Sequence, residues 1–190
     1  MIPMMIKVCG ITRKEDALAA ADAGASAVGF IFYPKSPRYV TPGRAAELGE
    51  GLSLWKVGVF VDESPAAIES AMRAARLDVA QIYGSDAPPG MRVWKAFRVA
   101  EAFDKSRADG AEAILLDGAA NGVPFDWRLA RAVEGRIIVA GGLTAANVAE
   151  AIRIAQPWGV DASSSLESSP GIKDHEKVRA FVKAAREAAE

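Results

Sequence analysis

The sequence predicts an α/β protein whose strands run parallel and close into a (β/α)8 barrel. Three observations predict it. Short runs rich in Val, Ile and Phe alternate with longer amphipathic stretches from one end of the chain to the other. About eight such units can be counted, the number a closed barrel needs. The first turn reads Cys9-Gly10-Ile11-Thr12, not the G-x-G-x-x-G of a doubly wound nucleotide-binding sheet, which is the other architecture right-handed crossovers allow.

In order, the predicted strands are Met4–Cys9, Ala27–Phe32, Lys56–Val61, Val79–Tyr83, Arg92–Val99, Glu112–Asp117, Arg136–Ala140 and Gly159–Ala162. Helical patterns occupy Arg13–Ala23, Ala66–Arg76, Ala145–Gln156 and Asp174–Ala189. Ser64-Pro65 and Thr41-Pro42 each place an N-cap before a proline at the first helical position. Thr12 and Glu15 have capping-box spacing. Barrels of this kind typically take about 250 residues, and this chain has 190. The prediction is therefore a compact TIM barrel with short loops, one domain over residues 1–190. A helix is vestigial after the fourth strand, where Pro88 and Pro89 in Ser85–Gly90 leave no room for one.

Composition narrows the function classes. Lys and Arg number 23 against 24 Asp and Glu, and no stretch gathers the basic residues with aromatics, so no nucleic-acid surface is expected. One Cys and one His make neither an internal disulfide nor a Cys/His metal cluster. No run reaches the roughly 20 apolar residues of a membrane span, and Met1–Gly10 lacks the layout of a signal peptide. A cytoplasmic protein without membrane attachment is expected; the chain leaves homo-oligomerisation open.

Strand parity then sorts side chains. It points Lys7 and Cys9 inward in the first strand, Gln81 and Tyr83 in the fourth, Lys95 in the fifth and Asp161 in the last. Buried charges need partners, so an ion pair of Asp161 with Lys7 or Lys95 is expected. Cys9 ends its strand, at the face where barrels build active sites. Position alone leaves it evenly balanced between a small core residue and a functional thiol.

The loops after the seventh and eighth strands are small and polar: Ala140-Gly141-Gly142-Leu143 and Asp161-Ala162-Ser163-Ser164-Ser165. Glycines let backbone N–H groups approach an anion and serines add donors, and in barrels these two loops commonly hold phosphate. Lys35-Ser36-Pro37-Arg38, after the second strand, offers a planar fork for a carboxylate at the same mouth.

These residues resemble a known family, the phosphoribosylanthranilate isomerases of tryptophan biosynthesis. The resemblance runs in order through Lys7–Thr12, Gly29–Val40, Val57–Val61, Phe125-Asp126-Trp127, Ala140–Leu143 with Asn147-Val148, Asp161–Ser164 and Pro170–Asp174. It implies a barrel without cofactor or metal that performs an Amadori rearrangement of a small phosphosugar. It also implies Cys9 as catalytic base and Asp126 as general acid. Arg38 would hold the anthranilate carboxylate, and Gly141, Gly142, Ser164 and Ser165 the phosphate, with Asp161 among the substrate-binding groups.

Three positions depart from the family pattern. Tyr83 stands where histidine is usual, Asn121-Gly122-Val123-Pro124 is a shortened loop, and Ser165 replaces a glycine, a strained choice if φ there is positive. They keep open a second class, a degenerate barrel that only binds a phosphate ligand. Other phosphosugar enzymes fit less well. An aminoaldose isomerase would carry aspartate at the position of Cys9, and an epimerase would need metal-ligating histidines, whereas His175 reads as a solvated helix residue.

Overall fold

Eight parallel strands, each hydrogen-bonded to the next and the last to the first, form a closed barrel. They are β1 (Met5–Cys9), β2 (Ala27–Ile31), β3 (Trp55–Val61), β4 (Val79–Tyr83), β5 (Val93–Val99), β6 (Ala113–Gly118), β7 (Ile137–Val139) and β8 (Gly159–Ala162). A computed structural model describes residues 4–84, 86–99, 103–104, 108–119 and 122–190. Ser85 and Asn121, named above, lie outside the described residues.

Alternation across each strand divides the core in two. Ile6, Val8, Val28, Phe30, Phe60 and Ile82 face outward into the layer covered by helices. Val57, Val79, Trp94, Ala96, Leu115 and Ile138 fill the interior. Trp94 and Ala96 thus take the inward parity of β5. Lys95 points outward instead, and its Nζ donates to the Asp109 carbonyl. The reading of Lys95 as an inward residue was one position out of phase; a bulky apolar ring takes the buried side of β5.

Helices α1 (Lys14–Ala23), α2 (Pro42–Gly49), α3 (Pro65–Ala74), α4 (Arg128–Arg131), α5 (Val148–Ala155) and α6 (His175–Ala189) line the outside. Thr41 and Ser64 cap α2 and α3 by accepting from the Arg44 and Ala67 amides, with proline following each cap. The capping box at Thr12 does not form. Arg13 is the N-cap residue of α1 without a side-chain bond, while the Thr12 hydroxyl donates to the Gly171 carbonyl. Among the described residues no helix separates β4 from β5, and α4 is a single turn. This is how the barrel closes with 190 residues. Also among the described residues, no helix is long and apolar enough to cross a membrane.

After β8 comes a feature absent from the sequence prediction. A 3₁₀ turn over Ser164–Leu166 leads into an antiparallel hairpin of β9 (Glu167–Ser169) and β10 (Ile172–Lys173), turned by Pro170-Gly171. Buried Asp16 of α1 anchors it, accepting from the Lys173 amide at 3.0 Å and contacting His175 Nε2 at 2.8 Å. His175 is thus tied to a buried carboxylate and is not simply solvated.

Candidate active site

Cys9, the last residue of β1, is buried at the C-terminal mouth. Gly29 of β2 makes room for it: a Cβ there would come within 2.7 Å of Cys9 Sγ and 3.1 Å of Lys7 Cε. Lys7 is fully buried two residues below, its Nζ 2.9 Å from Asp161 Oδ1 on the neighbouring strand. The expected ion pair forms with Lys7, since Lys95 faces out. Burial disfavours the Lys7 ammonium, but the Asp161 carboxylate and the Cys9 sulfur outweigh it, and its pKa lies above the ordinary lysine value. Burial also pushes the Cys9 thiol up, and the Lys7 charge opposes that rise.

Asp117, near the C-terminal end of β6, is the ionisable group that sequence reasoning missed. Its carboxyl pKa is raised, first by burial and then by the nearby charge of Asp161, against the pull of Arg98 and the Gly118 amide. Tyr83 Oη donates to Asp117 Oδ2 at 3.4 Å. Burial and the Asp117 charge hold the Tyr83 phenol well above its ordinary value, so it stays protonated as that donor. A Cβ on Gly141 would lie 2.9 Å from Asp117 Oδ1 and 2.5 Å from the Gly118 amide nitrogen, and the Gly141 φ of +86° suits only glycine. A signal was available: Ala113, Leu115 and Asp117 share one parity, and the strand-end criterion that singles out Cys9 applies equally to Asp117.

Asp126 lies elsewhere. Its neighbour Phe125 is buried in the outer core, which turns the Asp126 carboxylate to solvent. There it precedes the one-turn α4, accepting from the Arg128 amide at 3.0 Å and from the Arg128 guanidinium at 2.7–3.0 Å. The guanidinium holds its carboxyl below the usual range, opposite to what a general acid needs. With Trp127, Arg131, Arg153 and Ile154 it lines an outer cleft of about 530 Å³ between α4 and α5. The structure does not bring Asp126 into the barrel with Cys9.

The glycine and serine loops do meet. Ser165 Oγ donates to the Leu143 carbonyl, tying the loop after β8 to the loop after β7. Asn147 braces the latter, accepting from the Thr144 amide and donating to the Gly142 carbonyl. Gly142, with φ of +65°, packs against the Gly122 carbonyl, and Ser164 is exposed beside Ser165. Among the described residues the non-glycine positions with positive φ are Asp62, Arg76 and Gln156, so Ser165 carries no such strain. Arg38 reaches the same mouth, and its guanidinium is gripped by Glu167, with Nε–Oε1 and Nη2–Oε2 both 2.7 Å.

Buried ionisable groups at the strand C-termini, beside two small-residue loops, define a β/α-barrel enzyme. Residues 6–184 match the family described as N-(5'phosphoribosyl)anthranilate (PRA) isomerase. The N-(5'-phosphoribosyl)anthranilate isomerase of Solibacter usitatus is 53% identical over 197 residues, covering 97% of this chain and 98% of that protein. The crystal structure of the Thermotoga maritima phosphoribosyl anthranilate isomerase aligns with a TM-score of 0.88 at 36% identity, over 97% of this chain and 99% of that one. Another structure of such an isomerase, in complex with reduced 1-(o-carboxyphenylamino)-1-deoxyribulose 5-phosphate, gives 0.86 at 37% identity, with the same coverage of each chain. The chain belongs to the N-(5'-phosphoribosyl)anthranilate isomerase family.

Proposed function

We propose that the chain converts N-(5'-phosphoribosyl)anthranilate to 1-(2-carboxyphenylamino)-1-deoxyribulose 5-phosphate in tryptophan biosynthesis, with Cys9 as base and Asp117 as acid. The observation that carries this is that buried Cys9 at the end of β1 and half-buried Asp117 near the end of β6 both stand at the barrel mouth, the Asp117 carboxyl with a raised pKa. A carboxyl whose pKa is raised by desolvation is better matched to donating a proton to the furanose ring oxygen. Opening the C1–O bond then leaves a protonated imine at C1. That cation acidifies the proton on C2, which the Cys9 thiolate removes. Lys7 favours the thiolate against burial. The resulting enol becomes the ketone by losing its hydroxyl proton while C1 gains one.

Arg38 fits the anthranilate carboxylate, and the backbone around Gly141, Gly142, Ser164 and Ser165 fits the phosphate. Asp161 joins substrate binding through its second carboxylate oxygen while the first meets Lys7. A cytoplasmic location belongs to the same reading.

The test is fluorescence-monitored turnover of freshly prepared phosphoribosylanthranilate. Wild-type protein turns it over; folded protein without turnover refutes the reading. Asp117→Asn should cost about 10²–10⁴-fold in kcat, the usual span for a general acid. Asp126→Asn should stay within about threefold, since it loses an exposed ion pair. The opposite ranking would return the acid role to Asp126.

A further inference from the structure

Two further buried charges lie beside the barrel mouth, and no step of the proposed chemistry uses them. Glu167 and Lys173 are register partners in the β9–β10 hairpin, 8% and 3% exposed. Lys173 Nζ donates to Glu167 Oε1 at 3.0 Å and to the Ser163 carbonyl at 3.1 Å. Burying such groups is costly unless each is paired, and pairing here is complete only through Arg38.

The geometry of that third member is specific. A guanidinium has five N–H groups in one plane. Glu167 takes Nε–H and one Nη2–H along the side edge. What is left is the terminal edge, formed by Nη1 and the second Nη2–H, which matches a second carboxylate in a bidentate pair. Among the described residues Nη1 meets no hydrogen-bond acceptor. The Arg38 stem passes over Gly10, where an added Cβ would meet Arg38 Cδ at 2.6 Å and Ser163 Oγ at 3.0 Å. Arg38 is therefore held beside the residue that follows Cys9. Charge also matters, because an Arg–Glu pair alone is neutral and draws an anion weakly. With the Lys173 ammonium the triad carries one net positive charge.

We propose that Glu167, itself held by Lys173, is a positioning residue. It clamps the side edge of Arg38, leaving the terminal edge to receive the aryl carboxylate of the substrate. The hairpin is thereby a specificity element, selecting phosphosugar amines that carry a carboxylate. This rests on the reading of Arg38 as the carboxylate-binding group.

Steady-state kinetics of Glu167→Gln, Arg38→Ala and their combination test it, with inorganic phosphate as a competitive probe of the phosphate end. Glu167→Gln should raise KM about tenfold while kcat changes less than about threefold, the split that lost ground-state binding produces. The phosphate inhibition constant should not move. In the Arg38→Ala background the second substitution should add no further rise in KM. Because Glu167→Gln leaves Lys173 buried without its partner, the charge-balanced Glu167→Gln/Lys173→Met variant is made alongside. It should recover thermal stability and keep the raised KM. Recovery of KM together with stability would reduce the triad to a structural ion pair and overturn the proposal. So would an unchanged KM in Glu167→Gln when Arg38→Ala raises it. If Arg38→Ala itself leaves KM unchanged, the reading of Arg38 fails first.

Discussion

The two ends of this barrel are built from opposite materials. At the end where the strands begin, Trp55, Trp94 and Trp158 cluster in tilted and edge-to-face contacts, with ring centroids 5.8–6.5 Å apart. Arg92 lies over Trp55 at 4.2 Å and Arg136 over Trp158 at 5.2 Å, and Glu112 pairs with both arginines. Charge stays outside and aromatic surface inside, the arrangement that water favours. At the other end the order is reversed. Lys7, Asp161, Glu167 and Lys173 are all buried, and Cys9 and Asp117 have raised pKa values. Desolvating charge costs stability, and the same low-dielectric surroundings give the groups their altered proton affinities. One end serves stability and the other holds reactive groups whose proton affinities are shifted from those in water.

The largest test of this contrast is at the mouth. Cys9→Ser should lower kcat by about 10²–10⁴-fold, because a hydroxyl is a far poorer base than a thiolate. Its urea midpoint should hardly move; a large loss of stability with activity retained would make Cys9 a core residue only. At the opposite end the effects should trade places. Trp94→Ala should cost about 3–5 kcal/mol in denaturant unfolding, as expected when a fully buried ring is removed. The kcat of the protein that stays folded should change little.

Lys7→Met is a finer probe. The Lys7 ammonium lowers the Cys9 pKa against burial, so removing it raises that pKa further. Catalysis by a base needs the deprotonated form, so the acid limb of the kcat/KM profile should move to higher pH. A limb that stays in place would uncouple Lys7 from Cys9. The smallest effect belongs to Glu112→Ala. Its pairs with Arg92 and Arg136 are solvent-facing, so the loss should not exceed about 1 kcal/mol, with kinetics unchanged.

Much of this was legible in the chain. The eight strands and the missing helix between β4 and β5 follow from β-branched runs and from Pro88 and Pro89. The inward placement of Lys7, Cys9, Gln81 and Tyr83 follows from parity counted back from strand ends. Parity failed at Lys95, because Trp94 and Lys95 sit side by side in a strand whose phase only packing against neighbours sets. Motif likeness failed differently at Asp126: an aspartate between two aromatics looks distinctive, yet Phe125 is the residue that anchors the segment.

By itself, then, the sequence determined the alternation, the closure into a barrel, the family and the position of Cys9 at a strand end, because these depend on local periodicity and residue type. Tertiary structure decided which groups share an environment. Asp117 rather than Asp126 is half-buried near the mouth, and Glu167 meets Arg38 across 129 positions of chain. Proton affinity and hydrogen bonding depend on desolvation and on neighbours a few ångströms away, and closing the barrel is what makes distant residues neighbours.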